Sequence, residues 1–442
     1  MKKIFNNIAY DLYLVLIVVL TFLSYIGIIT AWFLPLFVVL ALFLIFTKKD
    51  IMYIMPIAFF IQMSFGDLRD NVKVTTIYTI IIGSLIILDL VRNRKITKVG
   101  YLTLPLGILS ILSIISGINN NDFFITFAGW SQITSVLVLY FYFVNTMENK
   151  EKNFINISKL LMYMSVLVTI EMLYFVLTSD LEIIQIIRQR SINLGWENLN
   201  VIIYSNIVAI PLIGYLIVKS KVKIIYMLIA LFSLLGILMT LSRSSILTVG
   251  IFVVIIVPLI FVLEENKMSL FIQGLFFLMF ISIGLYFLEQ QAIVSDYYQS
   301  LIGRDLMHFG DRLALLKIAW NNFLAHPIIG NGGLYSSRYL IADAGYSSIN
   351  YHNTIAQAST LGILGLLGFG YLFYRKTKLI LMSQSVFKWF VLVLIYITAF
   401  VNGMLQPMYF YASYMIFIFL VLATIEVTIE TNKSVMKPKK KS

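Results

Sequence analysis

Long apolar runs, separated by short charged or Gly- and Asn-containing breaks, recur along almost the whole chain. A helix needs about 20 mostly apolar residues to cross the hydrocarbon core of a bilayer, so runs of this length predict membrane-spanning helices. Because two of the runs are short, the pattern predicts an all-α, polytopic integral membrane protein with about 12 to 14 transmembrane helices. The runs are 8–28, 31–47, 51–66, 74–91, 101–117, 123–146, 155–178, 200–218, 222–241, 245–263, 269–288, 353–374, 386–402 and 408–427.

The composition excludes a soluble monomer. Of the 442 residues, 60% are hydrophobic and 12% are charged, with a mean hydropathy of +0.92, whereas an ordinary soluble domain has roughly 25% charged residues. Such a chain has too few polar side chains to cover its outside, so lipid must be its solvent. The chain contains no cysteine, which excludes disulfides, thiolate metal sites and a cysteine nucleophile. The first apolar run has no cleavage signal, so we expect it to be retained.

The basic residues predict the orientation, because short loops rich in Lys and Arg stay in the cytoplasm. With the N-terminus inside, 22 of the 33 basic residues fall in inner segments and nine in outer segments. The outer segments 179–199 and 289–351 are long. We therefore divide the chain into residues 1–199, with the first helices and the first long outer loop, and residues 200–442, a transmembrane core with the large extracytoplasmic loop 289–351.

Arginine and lysine are distributed differently. Seven of the ten arginines fall in outer segments, but only two of the 23 lysines. A guanidinium binds phosphate or carboxylate through two parallel hydrogen bonds, which an ammonium cannot do, so the outer arginines suggest an anionic ligand. Salt bridges to outer acids such as Asp305, Asp311 and Glu197 are the alternative. The outer arginines are Arg69, Arg188, Arg190, Arg243, Arg304, Arg312 and Arg338.

Residues 311–325, within the large loop, have the periodicity of an amphipathic helix. We expect this helix to lie along the outer leaflet or to cover the mouth of a cavity, and to end before Pro327. Arg312 is predicted in its first turn, where it adds to the positive potential that an anion meets; a snorkelling interfacial arginine is the alternative. The predicted face consists of Arg312, Leu315, Leu316, Ala319, Trp320 and Phe323.

Tyr351, His352 and Asn353 precede the next apolar run. A neutral imidazole can accept a proton from a hydroxyl near pH 7, which Arg and Lys cannot do. A histidine that only forms a cap or an interfacial hydrogen bond is the alternative. Gly330 and Gly332 lie upstream in a turn whose glycines permit close backbone approach to a substrate, although such a stretch is more often only a tight loop.

Further candidates lie in the other outer segments. Arg243 stands in a turn between two runs that is too short to carry its charge far from the membrane, which makes it a functional candidate. In the first long loop, Arg188 and Arg190 with Trp196 could bind a sugar by hydrogen bonding and stacking. Arg304 is a further substrate-binding candidate in the large loop.

Several common catalytic motifs are absent from the sequence. It has no P-loop, no H-E-x-x-H, no G-x-S-x-G elbow and no outer Asp-x-Asp pair, which disfavours nucleotide hydrolysis and metal-dependent sugar transfer. We expect no cofactor, no metal and no nucleic-acid partner.

Four motifs between residues 200 and 370 resemble, in their order and spacing, those of the bacterial O-antigen ligase and polymerase group, which includes the Wzy-type repeat-unit polymerases. Residues 1–199 carry no comparable motif. The motifs are the turn Ser242-Arg243-Ser244, the helix from Asp311-Arg312 through Trp320, the turn Pro327-x-x-Gly330-x-Gly332, and His352-Asn353 followed by Gly362-x-x-Gly365.

The resemblance implies a multi-pass glycosyltransferase of the bacterial cytoplasmic membrane whose active site faces outside. Such an enzyme transfers a glycan from undecaprenyl pyrophosphate to an acceptor hydroxyl during synthesis of a surface polysaccharide such as capsule or O-antigen. The resemblance further implies that Arg243 and Arg312 hold the pyrophosphate and that His352 activates the acceptor. Attack opposite the leaving group would make the transfer inverting. A flippase and a chain-length regulator would be its protein partners.

Three alternatives stay open at this point. Ligases and polymerases share these motifs, so the acceptor is not fixed, and we take the polymerase as the first hypothesis. A flippase for the same lipid-linked sugars also needs many spans, but it should place Arg or Lys within the spans, whereas the basic residues here cluster outside them. A glycosyltransferase whose base is Asp67 or Asp70 is the third alternative.

Overall fold

The computed structural model describes residues 2–47, 51–63, 72–93, 98–118, 123–148, 152–179, 185–186, 192–195, 199–289, 307–331, 337–346, 350–406 and 412–435. The protein is 85% helical, with no strand among these residues. Each of the fourteen predicted apolar runs coincides with helical structure, which confirms the all-α class.

Five helices are long and apolar enough to cross a membrane, and eight shorter apolar helices accompany them in the part of the chain described. The protein is therefore a multi-pass membrane protein. The exact count of about 12 to 14 spans and the outer position of residues 289–351 stay predictions. The five long spans are Thr126–Thr146, Lys152–Thr178, Ile202–Lys219, Arg243–Leu263 and Thr354–Leu381.

The helices belong to two compact units. The division of the chain at residue 199 stays a prediction. The first unit comprises Met1–Ile96 and Asn145–Gly303. Its helices are α1 (Lys2–Tyr25), α2 (Thr30–Phe46), α3 (Ile51–Met63), α4 (Val72–Asn93), α7 (Lys152–Thr178), α8 (Leu199–Lys219), α9 (Lys223–Met239), α10 (Arg243–Leu263) and α11 (Lys267–Glu289).

The second unit comprises Thr97–Val144 and Arg304–Ser442. A 3₁₀ turn, Ser359–Leu361, separates two of its helices, and a π-helix, Thr398–Asn402, follows another. Its helices are α5 (Thr103–Gly117), α6 (Phe123–Thr146), α12 (Met307–Ala325), α13 (Ser337–Asp343), α14 (Thr354–Ala358), α15 (Gly362–Leu381), α16 (Phe387–Ile397) and α17 (Ala412–Val435).

A polar junction joins three helices of the first unit, α7, α8 and α9. The amide nitrogen of buried Asn206 donates to Thr169 Oγ1 and to the carbonyl oxygen of Ser233, both at 3.1 Å. Gly236 makes room for these groups, because a Cβ there would lie 2.5 Å from Thr169 Oγ1. Small residues and side-chain hydrogen bonds of this kind hold helices together in lipid, because lipid tails are as apolar as the helix surfaces and apolar contact alone does not favour helix association.

Small residues also pack helices in the second unit. A Cβ at Gly368 of α15 would lie 2.9 Å from a methyl group of Leu109 in α5, so this glycine serves helix packing, as the three-residue spacing of Gly362, Gly365 and Gly368 predicted. Nearby in the same unit, Glu426 of α17 accepts hydrogen bonds from the backbone N–H of Tyr101 and from the Tyr140 hydroxyl. A buried carboxylate is thereby satisfied.

Candidate functional site

The segment between α13 and α14 presents His352 in an uncommon backbone conformation. The φ of His352 is +51°, a left-handed value that non-glycine residues seldom adopt and that often marks a functional position. The side-chain oxygen of Asn350 accepts the His352 backbone N–H at 3.0 Å and so supports this turn. His352 itself is half-buried.

Asn353 caps the helix that follows. Its Oδ1 accepts from the backbone N–H groups of Ile355 (2.9 Å) and Ala356 (3.0 Å), and its Nδ2 donates to the carbonyl oxygen of Met404 (3.1 Å). Asparagine is among the best N-cap residues because its side chain satisfies N–H groups that the first helical turn leaves unpaired. Asn353 therefore fixes where α14 begins and holds it against residues 402–406.

Tyr351 connects the same turn to α12. Its side chain is 1% exposed and packs with Leu315 and Ala319 of α12. The Tyr351 hydroxyl has no hydrogen-bond partner among the described residues, and burial raises its pKa above the ordinary value. Its backbone N–H donates to Gln357 Oε1 at 3.3 Å. Tyr351 thus ties the His352 turn to α12.

Arg312 stands on α12 and acts on His352 electrostatically. Burial lowers the pKa of His352 from its ordinary value, the hydrogen bond to Gln406 opposes this shift, and the positive charge of Arg312 lowers the pKa further. Both effects that lower the pKa favour the neutral imidazole. Arg312 thus lies on the helix against which the His352 turn packs, and its charge favours the neutral ring of His352.

The start of α12 differs from the prediction. The helix begins at Met307, four residues before Asp311, so Arg312 lies in the second turn. The field of a helix terminus falls off within the first turn, and the predicted dipole effect on Arg312 is therefore wrong. The end of α12 at Ala325, two residues before Pro327, agrees with the prediction.

The predicted apolar face of α12 is divided between two environments. Leu315 and Ala319 are 2% exposed and form a buried cluster with Ile341 and Tyr351. Trp320 is 59% exposed and stacks on Phe323 of the same helix, with ring centroids 5.8 Å apart. One edge of the helix thus packs in the protein, and its aromatic edge stays on the surface.

Gly330 lies in the turn after α12, pressed against the turn that precedes α15. Its φ is +76°, and a Cβ there would lie 1.9 Å from the carbonyl oxygen of Thr360. Backbone hydrogen bonds join the two turns, from Asn331 N to Thr360 O (3.0 Å) and from Ile363 N to Pro327 O (2.8 Å). The glycine permits this close approach, which holds the C-terminal end of α12 near α14 and α15.

We expect Gly330→Ala to destabilise the protein more than Gly345→Ala. Both glycines have positive φ, which costs about 1–2 kcal/mol for an alanine, but a Cβ at Gly345 would meet no atom within 4 Å. The additional overlap at Gly330 should cost about 1–3 kcal/mol more. Thermal unfolding of the purified variants in detergent measures the difference, and equal melting temperatures would contradict the close packing.

Arg243 belongs to the first unit, where it is the first residue of α10 and is exposed. Ser242 occupies the N-cap position without a side-chain cap bond, and its hydroxyl pairs with that of Ser245 at 2.9 Å. The preceding residue, Leu241, has a φ of +49°. The turn is therefore tight and presents the guanidinium at the end of the α9–α10 hairpin.

The described residues include six of the predicted site residues: Arg243 in the first unit, and Arg312, Gly330, Tyr351, His352 and Asn353 in the second. The other five lie outside the described residues: Arg188, Arg190, Trp196, Arg304 and Gly332. Sequence reasoning missed Gln406, whose Oε1 lies 3.1 Å from His352 Nδ1. The signal was present, since Gln406 is the polar residue that precedes Pro407 between two apolar runs.

Comparison with known proteins supports one family. Residues 228–370 match a family model described as O-antigen ligase, and no curated protein matches the chain. The matched segment includes α10, α12, α14 and the turn that carries His352, and it falls within the region in which the four motifs were found. The match over residues 228–370 supports the resemblance to the O-antigen ligase and Wzy-type family that the four motifs indicated.

Proposed function

We propose that the protein is a polymerase that joins undecaprenyl-pyrophosphate-linked oligosaccharide repeat units into a surface polysaccharide, on the outer face of the bacterial cytoplasmic membrane. The observation that carries the proposal is the packing of the His352 turn, through Tyr351, against the helix that carries Arg312, whose charge favours the neutral ring, inside a segment that matches the family. The family match supports glycan transfer from a lipid-linked oligosaccharide, and these two residues are proposed to supply the chemistry.

In this proposal His352 is the general base. It takes the proton of the acceptor hydroxyl as the acceptor oxygen bonds to C1 of the donor sugar. The bond between C1 and the phosphate oxygen breaks, and its electron pair leaves with undecaprenyl pyrophosphate. Attack from the side opposite the leaving group inverts the configuration at C1. A positioned base of this kind contributes roughly 10²- to 10⁴-fold to the rate.

Arg312 is proposed to bind the pyrophosphate. Negative charge on the leaving phosphate increases as the C1–O bond breaks, so a guanidinium that pairs with it stabilises the transition state more than the bound donor. The half-buried setting of Arg312 strengthens such a pair relative to one in water. For Arg243, Arg188, Arg190 and Arg304, a role in binding the donor is proposed from the family resemblance and from guanidinium chemistry.

The ligase is the second candidate, because the matching family model is described as O-antigen ligase. A ligase transfers the glycan to an acceptor other than a second repeat unit, with the same base and the same leaving group. The two candidates therefore differ only in the molecule that supplies the attacking hydroxyl.

Reconstitution tests the proposal and separates the candidates. Purified protein in liposomes is given the lipid-linked repeat alone, with a chelator and without nucleotide, and both released undecaprenyl pyrophosphate and glycan length are measured. A polymerase should release undecaprenyl pyrophosphate and build glycan chains from the donor alone. Release only after addition of a second acceptor would identify a ligase, and an intact donor under both conditions would overturn glycan transfer.

The rate of transfer should rise with pH along an acid limb whose midpoint lies below 6.5. The base must be neutral to accept a proton, and burial and Arg312 lower the His352 pKa from its ordinary value of 6.5, so neutral imidazole is already abundant at pH 6.5. Initial rates between pH 4.5 and 8, measured in the same liposomes, provide the profile. A midpoint above 6.5 would show that another group carries the titration.

A further inference from the structure

His352 has a hydrogen-bond partner that is distant in sequence. Its Nδ1 lies 3.1 Å from Oε1 of Gln406. An amide oxygen only accepts hydrogen bonds, so this bond requires a proton on Nδ1. In a neutral imidazole with the proton on Nδ1, the lone pair that can accept a proton is on Nε2. The contact therefore selects one of the two neutral tautomers.

The backbone around Gln406 is fixed by its own hydrogen bonds. Gln406 is 9% exposed, and its N–H donates to the carbonyl oxygen of Asn402 at 2.7 Å. Three further bonds link residues 403–406 to residues 353–354, so the distance between Gln406 and His352 is set from both sides. They run from Thr354 N to Gly403 O (2.8 Å), from Asn353 Nδ2 to Met404 O (3.1 Å) and from Thr354 Oγ1 to Gln406 O (3.3 Å).

A π-helix directly precedes residues 403–406. Residues 398–402 form the wide turn, and the N–H of Gly403 donates to the carbonyl oxygen of Thr398 at 2.6 Å, five residues back. The wide turn ends α16 and leads directly into the residues that contact the His352 turn. Single π-turns in helical proteins are rare and frequently occur at functional sites.

We propose that Gln406 is a positioning residue for glycan transfer, which holds His352 with its proton on Nδ1 and leaves Nε2 to take the proton of the acceptor hydroxyl. The inference rests on the proposed role of His352. In the transfer step, Nε2 receives the proton while the new C1–O bond forms and undecaprenyl pyrophosphate departs. Gln406 exchanges no proton, and its bond to Nδ1–H strengthens as the ring becomes cationic.

The described segments next to His352 and Gln406 carry few charges. Neither α14 nor residues 398–406 contain a charged side chain, and α12 contributes Arg312, whose charge favours the neutral ring. A carboxylate at position 406 would therefore be the negative charge nearest to Nδ1 among the described residues. Substitutions at position 406 can thus change the basicity of His352 in a known direction.

Two variants test the role through kinetics. Gln406→Leu removes the acceptor, and we expect kcat to fall about 10- to 100-fold, the size of the loss when a metal-bound imidazole loses the partner that orients it, with an unchanged KM for the lipid-linked repeat. Gln406→Glu keeps an acceptor at Nδ1, and we expect it to recover most of kcat and to move the acid limb of the pH profile up by about one to three pH units. Size-exclusion profiles and melting temperatures verify that both variants fold.

The kinetic outcomes distinguish a failure of the Gln406 role from a failure of the His352 role. A Gln406→Leu protein that keeps the wild-type kcat and pH profile would overturn the positioning role, as would a loss confined to KM. If His352→Ala retains wild-type activity, the proposed role of His352 as the base fails while glycan transfer stands, and the kinetics of the position 406 variants then report on another group.

A second measurement does not depend on activity. The chain has three histidines, His308, His326 and His352, so ¹⁵N-histidine labelling yields a small set of imidazole signals, and His352→Ala identifies the one of interest. We expect the Nδ1–H tautomer in the wild type and a mixture of tautomers in Gln406→Leu. A wild-type His352 that carries its proton on Nε2 would overturn the inference even if His352 is the base.

Discussion

His352→Ala is expected to lower the rate constant of glycan transfer about 10²- to 10⁴-fold, the usual contribution of a positioned general base. Alanine removes the only group proposed to take the acceptor proton, and it leaves Arg312 in place, so affinity for the lipid-linked repeat should change little. Initial rates at saturating donor in liposomes measure the effect.

His326→Ala is the matched control. His326 lies just beyond the C-terminal end of α12, and its carbonyl oxygen accepts from the backbone N–H of Gly330 at 3.1 Å, a contact that alanine preserves. We expect this variant to transfer glycan at the wild-type rate. If His352→Ala transfers glycan as fast as His326→Ala and the wild type, His352 is not the base, and Asp67 and Asp70 become the residues to replace.

Arg312→Lys should lower the rate by about 10²- to 10³-fold, the effect of losing one preorganised donor to a developing negative charge. Lysine keeps the positive charge but cannot form the two parallel hydrogen bonds that a guanidinium makes with a phosphate. The acid limb of the pH profile should stay near its wild-type position, because a positive charge remains near His352.

Two further variants complete this test. Arg312→Gln removes the charge, so the pKa of His352 should rise and the acid limb should move to higher pH. Lys317→Gln removes an exposed cation from the same helix and should behave like the wild type. Wild-type amounts of polymer from Arg312→Lys would show that a positive charge at position 312 is sufficient. If Lys317→Gln lowers the rate as much as Arg312→Gln does, the rate depends on the total positive charge of α12 and not on Arg312 in particular.

The helices that coincide with the fourteen apolar runs were predictable because the length of an apolar run can be read directly from the sequence, whereas the short helix α13 was not predicted. The start of α12 was not, since Met307 to Gly310 lack an apolar period and the chain is nonetheless helical there. The apolar face of α12 was only half predicted. Periodicity identifies Leu315, Ala319 and Trp320 as one stripe, but only tertiary contacts decide that the first two are buried and the third is exposed.

The candidate site was predictable where chemistry depends on single residues. His352 and Arg312 are conspicuous in an apolar sequence because histidine is rare and arginine is concentrated in predicted outer segments. The partnership of His352 with Gln406 was not predictable, because it depends on a π-turn and on backbone bonds between residues that are 54 positions apart. Gly330 was noticed as a flexible position, whereas its close approach to Thr360 becomes visible only when α12 and α15 are placed together.

The carboxylate of Glu426 has a consequence for how the protein is made. The partners of Glu426, Tyr101 and Tyr140, lie about 300 residues earlier in the chain, so they are synthesised well before α17. An ionisable side chain is costly in hydrocarbon until it finds its partners, so stable integration of α17 depends on earlier helices that are already in the membrane. This part of the second unit can therefore be completed only after α17 has been synthesised.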